Sequence, residues 1–144
     1  MFFNVSLDTG KTEMIRAVVE GVCYHLRWML ECQEKKVRTS DPVRFCGGGA
    51  LSPVTSQILA DILGRAVEVP AEPQNVGSVG AALVAAVGAG AIGSIEEISG
   101  LIKPAATYLP GSCGSEGKTA YERNYQVFKM LHDSNKKLFA ELNG

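Results

Sequence analysis

The sequence has no apolar run that is both long enough and free enough of glycine to span a bilayer, and no charged stretch followed by an apolar one opens it like a signal peptide. It reads as a soluble, cytoplasmic chain with no membrane partner. It also lacks an excess of either charge. Fourteen Lys and Arg against fifteen Asp and Glu leave a formal net charge of -1, too little for an electrostatic footprint on nucleic acid. Histidine is scarce, with only His25 and His132, and Cys23, Cys32, Cys46 and Cys113 show no C-x-x-C spacing. No metal site is expected from such a set. The cysteines read as reduced thiols used as small buried hydrophobes, and the two histidines as packing or solvated residues within helical patterns. No internal repeat is present.

What is there is an ordinary globular composition: 144 residues, 46% hydrophobic and 20% charged. A chain of this size buries roughly two thirds of its unfolded surface and is expected to form one compact unit. Glycine is in surplus, with 16 where average usage of ~7% would supply about ten. The surplus falls at 47–49, 77–93 and 111–117.

Between residues 10 and 36, Ile15, Val18, Val19, Val22, Leu26, Met29 and Leu30 recur at three- and four-residue steps and predict a long amphipathic helix with that stripe inward. Asp41-Pro42 ends the helical pattern, and residues 43–46 predict a short buried strand. Ser52 and Pro53 make an N-cap and first-turn pair for a second helix that Gly64 closes. Residues 66–69 predict a second strand stopped by Pro70. Residues 78–88 predict a helix of small side chains, residues 95–102 a short helix or turn, and residues 103–110 an extended segment. Residues 111–117 have the composition of a mobile loop. A last helix from about Lys118 carries Tyr121, Tyr125, Phe128, Leu131, Leu138 and Leu142 on one face.

Strand, Gly47-Gly48-Gly49, capped helix, strand is the half-unit from which nucleotide sites are commonly built in open α/β sheets. Glycines at a strand's carboxyl end can take positive φ and leave no side chain in the way of a flat ring or a phosphate. The helix starting at Ser52 would aim free N–H groups and a positive dipole end at the same place. Three readings stay open on these residues: a tight turn that binds nothing, a nucleotide seat, or a dinucleotide fingerprint in which Glu68 holds the ribose. Ser52 stands where that fingerprint has glycine or alanine.

Four stretches, in order, carry a resemblance over nearly the whole chain: Glu13-Met14-Ile15-Arg16-Ala17-Val18-Val19-Glu20-Gly21, Cys46-Gly47-Gly48-Gly49-Ala50-Leu51-Ser52, Gln57-Ile58-Leu59-Ala60-Asp61-Ile62-Leu63-Gly64 and Val79-Gly80-Ala81-Ala82-Leu83. Together they resemble the carboxyl-terminal part of FGGY-family carbohydrate kinases, within the actin-like ATPase superfamily. The resemblance implies an α/β fold of actin-like (ribonuclease H-like) type, a partial C-terminal domain with a short sheet packed with several helices. It implies that Gly48, Gly49, Ala50 and Ser52 form the adenosine motif, with Gly47 shaping the turn, and that residues 79–83 form the connecting helix at the hinge between kinase domains. Arg16 and Glu20 lie in the family's second signature and read as a structural ion pair.

The resemblance further implies that residues 1–144 are the nucleotide-side domain of a longer chain whose N-terminal sugar-binding domain is absent. ATP and ADP would be the ligands, with Mg2+ held mainly by the phosphates and the missing domain. The sugar would be reached through that domain, and a homodimer of the parent enzyme is compatible with the family. No catalytic residue is assigned within this chain. D-xylulose is the favoured substrate, because Gly48-Gly49-Ala50-Leu51-Ser52, Val67-Glu68-Val69-Pro70 and the tail from Tyr121 to Phe139 resemble the family's xylulokinases. Gluconate, ribulose and glycerol are the alternatives. Such a fragment is expected to be inactive alone, and a non-catalytic interaction domain is the rival from another class.

Overall fold

The computed structural model describes residues 2–143. Expected as one compact unit, the chain instead divides into two, one of Met1–Arg38 with Cys113–Gly144 and the other of Thr39–Ser112. The physical reason is that the first and last helices form a core of their own.

In the first unit, α1 spans Lys11–Glu34 and the long C-terminal helix, α5, spans Gly114–Asn143. Its buried side chains are Cys23 and Tyr24 from α1 and Tyr121 and Tyr125 from α5. Tyr24 packs edge-on to Tyr121 with ring centroids 6.4 Å apart and lies 6.1 Å from Tyr125 and 5.9 Å from Phe128. Such aromatic pairs add about 0.5–1.5 kcal/mol beyond the area they bury. Polar groups rim this cluster. Tyr125 donates its hydroxyl to Glu31 Oε2 at 2.6 Å, and Arg27 reaches Glu31 at 3.0 Å and Glu122 at 2.8 Å while its guanidinium lies 4.0 Å from the Tyr125 ring centre.

The expected Arg16–Glu20 pair is present at 2.7 Å, and Arg16 also donates to the Tyr121 hydroxyl at 2.9 Å. The predicted inward stripe of α1 is a different matter. Ile15, Val18, Val22 and Met29 are all about half exposed or more, and the buried line runs through Cys23 and Tyr24. A helix with apolar residues on several faces does not announce which face the aromatic partners of α5 will cover.

The second unit holds the sheet. β1 (Val43–Arg44) is parallel to β2 (Val67–Pro70), and β3 (Pro104–Tyr108) is antiparallel to β2, in the order β1-β2-β3. Val43 is in register with Val67 and Arg44 with Glu68; Val67 pairs with Tyr108 on the other side. The crossover from β1 to β2 is α2 (Pro53–Leu63), whose ends follow their local chemistry. Ser52 Oγ accepts from the Thr55 N–H at 3.2 Å, Pro53 opens the first turn, and Gly64 closes the helix at φ 66°. Ile58, Leu59 and Ile62 on α2 and Val67 and Val69 on β2 are buried, and the two elements pack together, each such side chain being worth about 1.5–3 kcal/mol.

The small-residue helix, α3, spans Val76–Gly88, and α4 spans Ile95–Leu101. Val79 and Val84 of α3 are exposed. The segment read as a mobile loop at 111–117 is mostly otherwise. Helix α5 already begins at Gly114, and the Asp61 carboxylate holds the backbone just before it. The cysteines are free, but only Cys23 is buried; Cys32 and Cys46 are exposed and Cys113 is intermediate, so the expectation of four buried thiols holds for one.

Candidate functional site

The glycine triplet stands at the carboxyl end of β1. Phe45 continues the sheet by donating its N–H to Glu68 O at 2.9 Å, and the chain then leaves the plane. Gly47 makes the bend at φ 90°, ψ -175°, a backbone state that an L side chain rarely adopts. Gly48–Leu51 then form one turn of 3₁₀ helix, closed by Ala50 N–H to Gly47 O at 3.1 Å and Ser52 N–H to Gly49 O at 3.4 Å. Ala50 is buried and anchors the turn to the unit's core.

The turn is open on one side and backed on the other. A Cβ built on Gly47 or Gly48 would meet nothing within 4 Å, whereas one on Gly49 would stand 3.1 Å from the Phe45 ring. The leading N–H groups of a helical turn have no partner inside it, and among the described residues those of Gly48 and Gly49 are in that position. Gly47 differs. Its N–H is used internally, donating to Pro73 O at 2.8 Å.

Free donors lie ahead of α2 as well as at its start. Of the N–H groups that α2 was expected to supply at Ser52, Pro53 has none, Thr55's is taken by the Ser52 hydroxyl and Val54's has no backbone partner among the described residues. The intervening 3₁₀ turn, with Gly48 and Gly49, carries the others. Gly47, Gly48, Gly49, Ala50 and Ser52 thus lie together on one short stretch, with Gly47 bending it, Gly48 and Gly49 offering bare backbone, Ala50 buried beneath and Ser52 capping the next helix.

Glu68 does not stand as the free acid of a dinucleotide site. It lies in β2 beside Arg44 at 3.6 Å and is half-buried, rather than exposed at a strand end. Nor does the sheet continue as a dinucleotide fold would, because β3 is antiparallel. A groove of about 1000 Å3 belongs to the helical unit, lined by Phe2, Phe3, Tyr24, Phe128 and Leu131 among others, and contains none of residues 46–52. His25 is exposed; His132 packs edge-on against Trp28 at 5.0 Å. Among the described residues no group of three His, Cys, Asp or Glu gathers as a metal site, and no helix is long and apolar enough to cross a membrane.

Two features were missed in the sequence. Asp61, 8% exposed, accepts from the N–H groups of Gly111 at 2.7 Å and Ser112 at 3.0 Å and from the Ser112 hydroxyl, while Gln57, one turn earlier, donates to Leu109 O at 2.8 Å. A lone acid between Ala60 and Ile62, in a helix with no other charged residue, was the available signal. The second is the turn at Pro73–Asn75, which the Gly47–Pro73 hydrogen bond fastens to the glycine turn.

Residues 1–89 match the C-terminal domain of the FGGY family of carbohydrate kinases. The chain belongs to that family. It is 30% identical over 143 residues to a xylulose kinase of Staphylococcus epidermidis, covering 98% of this chain and 28% of that protein. Among solved structures it is similar to the xylulose kinase from Rhodospirillum rubrum, at 27% identity and a TM-score of 0.79 over 97% of this chain and 28% of that one. It shares the fold of the Plasmodium falciparum glycerol kinase solved with ADP, at 18% identity and a TM-score of 0.69 over 90% of this chain and 26% of that one. The chain thus spans under a third of the length of these relatives. Its mixed helices and short three-stranded sheet are the α/β, actin-like ATPase arrangement of FGGY kinases, present in part.

Proposed function

We propose that this FGGY chain supplies the adenosine-binding side of an ATP-dependent carbohydrate kinase, the parent enzyme moving the γ-phosphate of ATP to a sugar hydroxyl. One observation carries the reading: at Gly47 and Gly48 the backbone faces open space that any Cβ would enter, next to amides with no internal partner. A flat purine can lie against such backbone, and an α-phosphate can accept from Gly48 and Gly49. Ala50 holds the turn from below, and Ser52 fixes where α2 starts. ATP, when bound, brings the phosphoryl group to be transferred.

The acceptor sugar, the base and the metal-bridging groups that phosphoryl transfer needs are assigned to the parent's other lobe, with Mg2+ on the phosphates. This chain is then expected to bind nucleotide without turning it over. D-xylulose is the sugar proposed, in keeping with the 30% identical xylulose kinase; gluconate, ribulose and glycerol are the competitors to be assayed with the parent enzyme. Calorimetric titration of the chain with MgATP tests the central part. Saturable binding is expected, and no heat and no thermal shift at millimolar ATP would overturn it.

A further inference from the structure

Only two non-glycine residues among those described have positive φ, Asn4 at 59° and Glu72 at 50°. Asparagine enters this region readily, whereas glutamate gains nothing from it that glycine would not give more cheaply. Glu72 immediately precedes Pro73, whose carbonyl accepts the Gly47 N–H. Its side chain is fixed as well. Asn75 Nδ2 donates to Glu72 Oε2 at 2.9 Å, and the Asn75 N–H donates to Glu72 O at 2.9 Å. The Glu72 residue is exposed, so a strained backbone presents an oriented carboxylate to solvent beside the glycine turn.

Two peptide steps of about 3.8 Å each and one hydrogen bond of 2.8 Å connect Glu72 to Gly48 through Pro73 and Gly47. That path is within the span of one mononucleotide. The two ends have opposite preferences. Free amides at Gly48 and Gly49 favour an anion, while a carboxylate repels phosphate and accepts from hydroxyl donors. We infer that Glu72, oriented by Asn75, accepts hydrogen bonds from the ribose hydroxyls of the bound nucleotide and so sets which way round it lies. This rests on the nucleotide reading above and adds a specificity residue to it. It also moves the ribose acid from Glu68, which Arg44 occupies, to the turn after β2.

The test is a set of titrations with ATP, 2′,3′-dideoxy-ATP and ITP on the wild-type chain and on Glu72→Gln and Glu72→Gly. Glycine relieves the positive φ and glutamine keeps the shape, so neither should lose binding by unfolding; thermal melts check this. Wild type is expected to prefer ATP over the dideoxy analogue by about tenfold, Glu72→Gly to bring that preference close to one and Glu72→Gln, which keeps one acceptor oxygen, to reduce it in part, both leaving dideoxy-ATP affinity unchanged. Equal wild-type affinity for ATP and dideoxy-ATP overturns the inference alone. So does a preference that survives both substitutions, or variants that instead erase discrimination between ATP and ITP. Wild type that binds no nucleotide removes the parent reading and this one together.

Discussion

The Gly47 N–H donates to the Pro73 carbonyl over 2.8 Å, tying the glycine turn after β1 to the turn after β2. The bend therefore rests on two supports, a backbone state suited to glycine and a hydrogen bond that fixes its direction. Gly47→Ala keeps the hydrogen bond and attacks the first. With φ at 90° the new methyl is strained although nothing stands within 4 Å of it, and the expected loss is about 1–2 kcal/mol in urea unfolding. Gly64→Ala at the end of α2, φ 66°, should behave alike. Unchanged midpoints in both would show that these φ values are not held in solution.

Asp61 is expected to be among the least replaceable side chains of the second unit. Alanine strands the Gly111 and Ser112 amides beside a buried gap, for about 3 kcal/mol, while asparagine keeps one acceptor oxygen and should cost about half as much. Hydrogen exchange at those two amides reads the contact directly. They should be protected in wild type and exchange quickly in Asp61→Ala, and fast exchange in wild type would contradict the geometry.

Burial, reinforced by the Glu20 carboxylate, pushes the Cys23 thiol from 9.0 up to about 11. The folded chain then keeps this proton while the unfolded chain releases it, so the associated stability is intact below pH 9 and is lost as pH rises from about 9 to 11. The amount is on the order of 2 kcal/mol. Tyr24 and Tyr125 are shifted upward by burial too, Tyr125 also by its bond to Glu31, and steepen the fall at the alkaline end. Urea midpoints at pH 8 and 10.5 should drop less for Cys23→Ala than for wild type, and identical drops would remove Cys23 as a cause. At neutral pH iodoacetamide should label Cys32 and Cys46 and spare Cys23.

What the sequence made legible was local chemistry. Ser52, Pro53 and Gly64 set the ends of α2 through contacts within a few residues, and the two strands flanking it followed from their apolar runs. The candidate site residues lie on one heptapeptide, Cys46–Ser52, and could be proposed without any long-range contact. Contacts distant in sequence were invisible. Asp61 and Gly111 are fifty residues apart, and a Gly-Ser segment reads as mobile until something is seen to grip it. Glu72 gave no sign either, since glutamate is not a residue that marks positive φ. The α1 stripe misled because periodicity selects a face without naming what covers it.

Gly48 offers the most direct trial of the nucleotide seat. A side chain at Gly49 would push on the Phe45 ring and confuse folding with binding, whereas Gly48 has ordinary φ and open space around its Cβ position. Titration of Gly48→Val with MgATP should show affinity reduced by at least about tenfold, equivalent to about 1.4 kcal/mol, with the urea midpoint unmoved. Wild-type affinity retained in a fully folded Gly48→Val chain would mean that the purine does not lie on this turn.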